Sequence, residues 1–469
     1  MVDLDVEKKI IQYIQSDDFK LKIVSSLKYS VEYVELLDIY GSSQLYIIST
    51  LVHLKNHEGL VITNYSKFVL LVDEVCTLYE GHLAINEEPI DIEEFVAKVF
   101  FVDDVIKVQY KGIFCCKKKV NNFVFRLNSG FEIKEVSAST NIVKFEECDY
   151  LRNGYVMIFK DHRYNHFTIQ CNYEGIPRLG FDNILSQKRS CLWGESFIFP
   201  YMNYVPILKS KYCLTIWHPI GTVLVGGKEI NRTDGGIVSQ LQSGVASPLP
   251  LILWGQYIYK TISVKKSRYT VYIYHNKEYD SNLEACVVDI IKKYEHYYGK
   301  VPYTDISIVF DKYSRVSCTQ GNIIIMRNDD VAELAHELAH LWWGSCVSFY
   351  GQGAKWLQEG MADISSNWYL DNDVEKLLTR MESGYGIRLE ELLYNTAFGN
   401  DDRFFLEGMK YLLILINRIS KDKFIKEIQY FINKNKYKNV QSIEFLKLFD
   451  ISEYSTLYKI LGEGEIEIE

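Results

Sequence analysis

The chain has 469 residues, of which 48% are hydrophobic and 24% are charged. This composition is typical of a folded globular protein, and the length allows two or three domains. The net charge of −9 argues against a nucleic-acid-binding protein and mildly against one that binds anionic membrane surfaces. No apolar run reaches the ~18–20 residues that a membrane span needs. Residues 1–9 lack an apolar secretion signal, so we expect a cytoplasmic protein.

Residues 1–100 are predicted to form a helical N-terminal extension. Val6, Ile10 and Ile14 recur at helical spacing, and the apolar residues between positions 31 and 37 do so more loosely. The sequence leaves three roles open for this extension, namely binding a protein partner, acting as a lid, or only packing against the rest of the chain.

Residues 101–268 are predicted to form an antiparallel sheet domain. From about residue 105 the apolar residues recur with a period of two, which is typical of strands. The predicted strands are 123–127, 156–159, 167–171, 214–217 and, where the next domain begins, 269–274. Many short strands without helices between them favour an antiparallel arrangement.

Residues 269–469 are predicted to form a third domain in which helices return. A helix over 285–298 precedes a strand over 306–310, and two further helices follow. Asp329, Asp330 and Glu333 predict the start of the first of these two helices, because acidic side chains are favourable at a helix N-terminus. Gly344 is a candidate for its end.

The most informative pattern in the sequence is His336-Glu337-Leu338-Ala339-His340. Two histidines four residues apart lie on one face of a helix, so both imidazoles can bind a single zinc ion. Glu337 between them is placed to hold a water molecule beside that ion. The same pattern also occurs on solvated helix faces, so its context matters.

Glu359 supplies that context. Eighteen residues separate it from His340, so it belongs to a second, antiparallel helix. Its neighbours Leu357, Met361 and Ala362 place its carboxylate near a core, where a buried charge needs a partner. Two histidines and one glutamate leave one coordination position open, which is typical of a catalytic zinc site.

These residues resemble a known family. Residues 336–344 read HELAHLWWG and residues 356–362 read WLQEGMA. Both resemble the zinc-site signatures of the aminopeptidase N family of gluzincin metallopeptidases, which uses the same eighteen-residue gap. Weaker similarity extends over about residues 105–430. Residues 251–257 resemble the end of that family's β-saddle domain, and residues 297–303 resemble the start of its thermolysin-like domain.

The resemblance implies an α+β multidomain fold. The family supplies an antiparallel β-saddle domain (101–268) and a thermolysin-like zinc metallopeptidase domain (269–469), whereas the helical N-terminal extension (1–100) has no clear counterpart in the family pattern. We expect no C-terminal helical-repeat domain of the kind that large members carry.

The resemblance also implies the roles of the site residues. His336, His340 and Glu359 bind Zn²⁺, and Glu337 polarises a water molecule and carries its proton to the leaving amine. The chemistry agrees, because zinc lowers the pKa of bound water towards ~7 and a carboxylate beside a ligand is placed to take the proton. Asp363, one helical turn after Glu359, is predicted to accept a hydrogen bond from a ligand histidine. The alternative for Asp363 is an ordinary aspartate on the helix surface.

The chain departs from the family in two places that affect the substrate. Family aminopeptidases carry a glutamate before the zinc helix that grips the free amino group of the substrate, and Cys318 stands near that position. A neutral thiol does not pair with an ammonium group, so the preference for N-terminal residues is open.

The second departure concerns the tyrosine that donates to the oxyanion in this family. Phe405 stands at the expected place, with Tyr394 and Tyr411 nearby in the sequence. Phenylalanine has no donor, and loss of one oxyanion donor typically costs ~100-fold or more in rate.

The sequence therefore predicts a zinc-dependent peptide hydrolase, either an aminopeptidase or an endopeptidase that processes peptides. The first alternative is a zinc-containing interaction scaffold whose catalysis is weak or lost. The second is hydrolysis of a substrate that is not a peptide, as in the leukotriene branch of the family. Cys318 and Phe405 favour the scaffold, and Glu337 opposes it, because a scaffold has no need of a carboxylate between two ligands.

Overall fold

A computed structural model describes most of the chain. The described residues are 4–17, 19–20, 29–42, 45–56, 61–71, 77–81, 90–102, 105–120, 122–128, 130–139, 142–148, 154–159, 164–177, 184–196, 198–200, 209–263, 268–350, 354–371, 402–441, 444–445 and 447–449. They divide into two compact units. Unit 1 comprises Met1–Phe181 and Gly194–Thr215, and unit 2 comprises Asp182–Trp193 and Ile216–Glu469. No described helix is both long enough and apolar enough to cross a membrane.

Unit 1 consists mainly of strands. Among its described residues, helix α1 (Leu4–Ile14) precedes eleven strands, and a 3₁₀ turn (Gly194–Ser196) and a further strand follow from the second segment. The strands are β1 (Tyr29–Ser42), β2 (Leu45–Asn56), β3 (Val61–Leu71), β4 (Thr77–Gly81), β5 (Ile90–Val102), β6 (Val105–Val120), β7 (Asn122–Arg126), β8 (Phe131–Ala138), β9 (Ile142–Cys148), β10 (Gly154–Phe159), β11 (Tyr164–Gly175) and β14 (Lys209–His218), whose last residues belong to unit 2.

The helical prediction for residues 1–100 is wrong for the described residues from Tyr29 onward, which form strands. Strands β1 to β4 form an antiparallel sheet in sequence order, and β5 begins a second sheet at residue 90. The reason lies in the β1–β2 pairing, whose register shifts between Val31 and Tyr33 and again between Leu36 and Asp38. Each bulge inserts an extra residue, so the apolar residues lose the strict two-residue period and mimic a loose helical one.

The second sheet of unit 1 contains most of its core. Strands β5, β6, β11 and β8 lie side by side and are antiparallel. Alternate side chains of each strand point to one face, as the pleat requires. On the buried face Phe95 packs against Tyr110, and Phe114 stacks on Phe167 with the two ring centroids 5.6 Å apart. The strands predicted at 123–127, 156–159, 167–171 and 214–217 are present as parts of β7, β10, β11 and β14.

The described residues of unit 2 combine strands with five helices. Its strands are β12 (Ile184–Leu185), β13 (Ser190–Leu192), β15 (Val223–Leu224), β16 (Lys228–Thr233), β17 (Gly236–Pro248), β18 (Ile252–Gly255), β19 (Ile258–Ser263), β20 (Thr270–His275), β21 (Asp305–Phe310), β22 (Cys318–Gln320), β23 (Ile323–Met326), β24 (Ser348–Tyr350) and β25 (Asn439–Gln441). Its helices are α2 (Leu283–Tyr298), α3 (Val331–Ala339), α4 (Ala354–Tyr369), α5 (Asp402–Ile419) and α6 (Lys421–Asn435).

A five-stranded mixed sheet anchors this unit. Its order is β19-β20-β21-β23-β22, in which β20, β21 and β23 are parallel and the two edge strands are antiparallel to their neighbours. The central strand β21 is apolar on both faces, as a covered parallel strand must be. Ile308 and Phe310 pack into the core formed with the helices, and Val309 packs into a second apolar cluster on the other face.

Candidate zinc site

Helix α3 presents both histidines of the motif. Its N-cap is Asp330, whose side chain accepts a hydrogen bond from the backbone N–H of Glu333 at 2.7 Å. Leu334 and Leu338 are fully buried and fix the orientation of the helix against the core. His336 lies on the adjacent side of α3, and His340 is the C-cap residue one turn later, with the two ring centroids 4.8 Å apart.

Helix α4 brings Glu359 to the same point. Its buried residues Leu357 and Met361 hold it in the core. Two hydroxyl groups tie it to its neighbours, because Ser366 donates to the backbone carbonyl of Ala332 at 2.8 Å and Ser365 lies 2.6 Å from the hydroxyl of Tyr298. The position of Glu359 relative to the histidines is therefore set by packed helices rather than by a loop.

The three side chains converge on one point. The Nε2 atoms of His336 and His340 are 3.1 Å apart, and Oε2 of Glu359 lies 3.5 and 3.4 Å from them, respectively. The ligand atoms of these three side chains all lie within 4.8 Å of one another, and no other group of three or more His, Cys, Asp or Glu side chains among the described residues meets that limit.

Hydrogen bonds on the far side of each ring fix which nitrogen is free. Nδ1 of His340 donates to the backbone carbonyl of Trp343 at 2.9 Å, and Nδ1 of His336 donates to Oδ1 of Asp363 at 2.8 Å. A carbonyl or a carboxylate only accepts, so both Nδ1 atoms carry a hydrogen. In the neutral rings both Nε2 lone pairs then face each other and the carboxylate, an arrangement that a cation between them would stabilise.

Zinc fits this donor set. Zinc binds histidine nitrogen and carboxylate oxygen at about 2.0–2.2 Å in a tetrahedron, so neighbouring ligand atoms lie about 3.3–3.5 Å apart. The three separations here are 3.1, 3.4 and 3.5 Å. Two nitrogens and one oxygen also leave one position of the tetrahedron for water or substrate.

The charges around the histidines favour a positive ion. Burial opposes protonation of His336, but the hydrogen bonds that its ring donates to the carboxylates of Asp363 and Glu359 outweigh this effect and raise its pKa well above the usual range. Burial likewise opposes protonation of His340, and Glu359 nevertheless raises its pKa. Burial alone would raise the pKa of Glu359, yet the two histidines hold it far below its usual range. A divalent cation bound here would take the place of the protons that this cluster attracts.

Glu337 lies beside the donor set without joining it. Only 6% of the residue is exposed, and this burial raises the pKa of its carboxyl group, while His340, His336 and a hydrogen bond from Thr319 oppose the shift. Oγ1 of Thr319 lies 2.7 Å from Oε2 of Glu337. The sequence analysis missed Thr319. The feature that could have indicated Thr319 is its position on a strand just before the zinc-site helix, inside the stretch that departs from the family pattern.

The two departures from the family pattern have different outcomes. Cys318 lies on the edge strand β22, beside Thr319, and its side chain packs against the apolar cluster that contains Val309. The backbone of Phe405 lies in helix α5, but its side chain is outside the described residues, as is the whole of Tyr394. The missing oxyanion donor therefore stays a prediction.

Comparisons with known proteins decide the family resemblance. No protein-family model matches the chain. The rice protein Aminopeptidase M1-C is 25% identical over 161 residues, which cover 31% of this chain and 18% of that protein. Pig glutamyl aminopeptidase is 21% identical over 291 residues, which cover 51% of this chain and 30% of that protein. The predicted resemblance to the aminopeptidase N (M1) family is confirmed. The chain spans less than a third of these curated relatives.

The solved structures are matched over nearly their whole length, unlike the curated relatives. The M1 zinc metallopeptidase of Deinococcus radiodurans superimposes with a TM-score of 0.67 at 12% identity, over 80% of this chain and 94% of that one. A mutant of the Deinococcus enzyme bound to a Tyr-Ser-Ala substrate gives the same TM-score over 82% of this chain and 97% of that one. The chain therefore has the mixed α/β fold of a two-domain M1 zinc metallopeptidase.

Proposed function

We propose that the protein is a zinc-dependent peptide hydrolase of the aminopeptidase N type. His336, His340 and Glu359 hold the zinc ion, and Glu337 is the general base and then the general acid. The observation that carries this proposal is the place of Glu337, a buried carboxylate that stands next to the converging donor set and is held by Thr319 rather than by the histidines. A purely structural zinc site closes its coordination shell and has no use for such a group.

Each residue then has a definite task. Zinc, when bound, lowers the pKa of a coordinated water towards ~7 and polarises the carbonyl group of the bond to be cut. The Glu337 carboxylate accepts a proton from the attacking water and then donates it to the leaving amine. Asp363 keeps His336 in the tautomer that offers Nε2, and the carbonyl of Trp343 does the same for His340.

The substrate class follows from the family, and the mode of cleavage is open. M1 zinc metallopeptidases hydrolyse peptide bonds, and the Deinococcus neighbour binds a tripeptide. Cys318 packs in an apolar cluster, so the amine-binding glutamate of the family has no counterpart at that position. We propose either an aminopeptidase with a different amine anchor or an endopeptidase. The cytoplasmic location, the three-domain division and a protein partner for residues 1–100 stay predictions.

The test is cleavage of a mixed peptide library followed by mass spectrometry, with Glu337→Gln beside the wild type. Glu333→Gln is the matched control, since Glu333 is a partly buried carboxylate one turn before Glu337 on the same helix and lies outside the group of His336, His340 and Glu359. Zinc content is measured in all three proteins. We expect cleavage by the wild type and by Glu333→Gln, and a loss of at least ~100-fold in Glu337→Gln. Removal of single N-terminal residues indicates an aminopeptidase, and internal cuts indicate an endopeptidase.

A zinc-loaded wild type that cleaves no better than Glu337→Gln contradicts the proposal. That outcome supports the interaction scaffold instead.

A further inference from the structure

We infer that Thr319 is a positioning residue that fixes the Glu337 carboxylate for the reaction proposed above, and this inference rests on that proposed function. Thr319 lies at the middle of the edge strand β22, next to helix α3. Its Oγ1 atom is 2.7 Å from Oε2 of Glu337 and 2.9 Å from the backbone oxygen of the same residue. One hydroxyl group therefore contacts Glu337 twice, once at its carboxylate and once at its backbone oxygen.

The hydroxyl has one hydrogen, so the two acceptors compete for it. The carboxylate is the stronger acceptor when ionised, and it is also the closer one. The backbone oxygen of Glu337 already accepts a hydrogen bond from the backbone N–H of His340 at 3.2 Å. The Thr319 hydroxyl therefore donates its hydrogen to Oε2 of Glu337. Oε1 of Glu337 is then the atom that receives the proton of the attacking water.

Position 319 is itself rigid. Thr319 is paired with Ile324 of β23, and its neighbour Gln320 donates a side-chain hydrogen bond to the backbone carbonyl of Leu249. A β-branched side chain on a strand also has restricted rotamers. The hydroxyl therefore provides a fixed point that is independent of the zinc-site helices.

Without the hydrogen bond from Thr319, the Glu337 carboxylate can turn towards other polar groups. His336 directly precedes Glu337 and His340 follows it by three residues, so the polar groups of the metal site lie within one turn of this carboxylate. Loss of the hydroxyl lets the side chain turn towards them and away from the position that proton transfer requires. A misplacement of about 1 Å at a reacting group costs as much as ~100-fold in rate.

The experiment compares Thr319→Val, Thr319→Ser and Glu337→Gln with the wild type, all with measured zinc content. Valine keeps the branched shape and removes the donor, and serine restores the donor. We expect Thr319→Val to lower kcat by ~10–100-fold with KM changed less than about threefold. Thr319→Ser should remain within about threefold of the wild type in kcat.

Crystal structures of the two Thr319 variants give a readout that does not depend on turnover. The Glu337 carboxylate should keep its place in Thr319→Ser and leave it in Thr319→Val. Wild-type kcat in Thr319→Val beside an inactive Glu337→Gln overturns the role of Thr319 and leaves the proposed function intact. An unmoved carboxylate in Thr319→Val also overturns it. A zinc-loaded wild type that cleaves no peptide overturns the proposed function and this role with it.

Discussion

Nδ1 of His336 on helix α3 lies 2.8 Å from Oδ1 of Asp363 on helix α4, one turn beyond Glu359 on that helix. Helix α4 thus holds His336 from both sides, with Glu359 near its Nε2 and Asp363 at its Nδ1. The proposed zinc site is consequently a property of the α3–α4 pair, and we expect its affinity to depend on a residue that donates no ligand atom.

Replacing Asp363 should weaken zinc binding without unfolding the protein. We expect Asp363→Ala to lower zinc affinity by ~10–100-fold, because His336 loses the acceptor that fixes its tautomer and raises its basicity. Affinity is measured by competition with a chromophoric chelator. Asp371→Ala is the control, since its side chain is 85% exposed and pairs with Lys293 instead. Equal affinities in the two variants contradict the role assigned to Asp363.

Zinc affinity should rise with pH. The carboxylates Asp363 and Glu359 raise the pKa values of His336 and His340 against the effect of burial, so the metal-free site holds protons near neutral pH. Zinc displaces these protons, and binding is therefore weaker at low pH and stronger once the histidines are neutral. Chelator competition from pH 6 to pH 9 measures the slope, and a flat profile contradicts the expectation.

The sequence predicts which residues lie together when they are close in the chain, and it does not predict contacts between distant parts of the chain. The motif residues His336, Glu337 and His340 are a few positions apart, so helical periodicity alone places them on one helix. Thr319 meets Glu337 only because β22 packs beside α3, and no spacing rule records such a contact between a strand and a helix. The strands described from Tyr29 to residue 100 were predicted as helix, and bulges in the β1–β2 pairing break the strand period at the start of this region.

Removing the buried carboxylate of Asp311 should strongly destabilise unit 2. Asp311 is fully buried and accepts hydrogen bonds from Arg189, Tyr257, Asn276 and the backbone N–H of Tyr313. Asp311→Ala leaves the buried guanidinium of Arg189 without its counterion, which typically costs about 3–5 kcal/mol. Urea denaturation measures the free energy of unfolding.

A surface ion pair provides the contrast. Glu229 and Arg232 lie 2.8 Å apart, but their side chains are 46% and 58% exposed. Glu229→Ala should therefore cost less than about 1 kcal/mol. Similar losses in the Asp311 and Glu229 variants contradict the importance assigned to the buried pair.

The buried His218 should make unit 2 sensitive to mild acid. Nδ1 of His218 lies 2.8 Å from Oγ1 of Thr222, and Nε2 lies 2.9 Å from Oγ of Ser239. The residue is 2% exposed, and this burial lowers its pKa from 6.5 to about 4. Between these values the unfolded chain binds a proton that the folded chain does not, so stability is complete above pH 6.5 and falls as the pH drops towards 4.

At pH 5 the loss from this one histidine amounts to about 2 kcal/mol, at 1.36 kcal/mol for each pH unit below the unfolded pKa. Urea denaturation of the wild type and of His218→Gln at pH 7.5 and pH 5 isolates it. The wild type should lose about 2 kcal/mol more than the variant, because glutamine does not titrate. The exposed His166, replaced by glutamine, is the control and should follow the wild type. Parallel losses in the wild type and His218→Gln rule out a neutral buried imidazole at position 218.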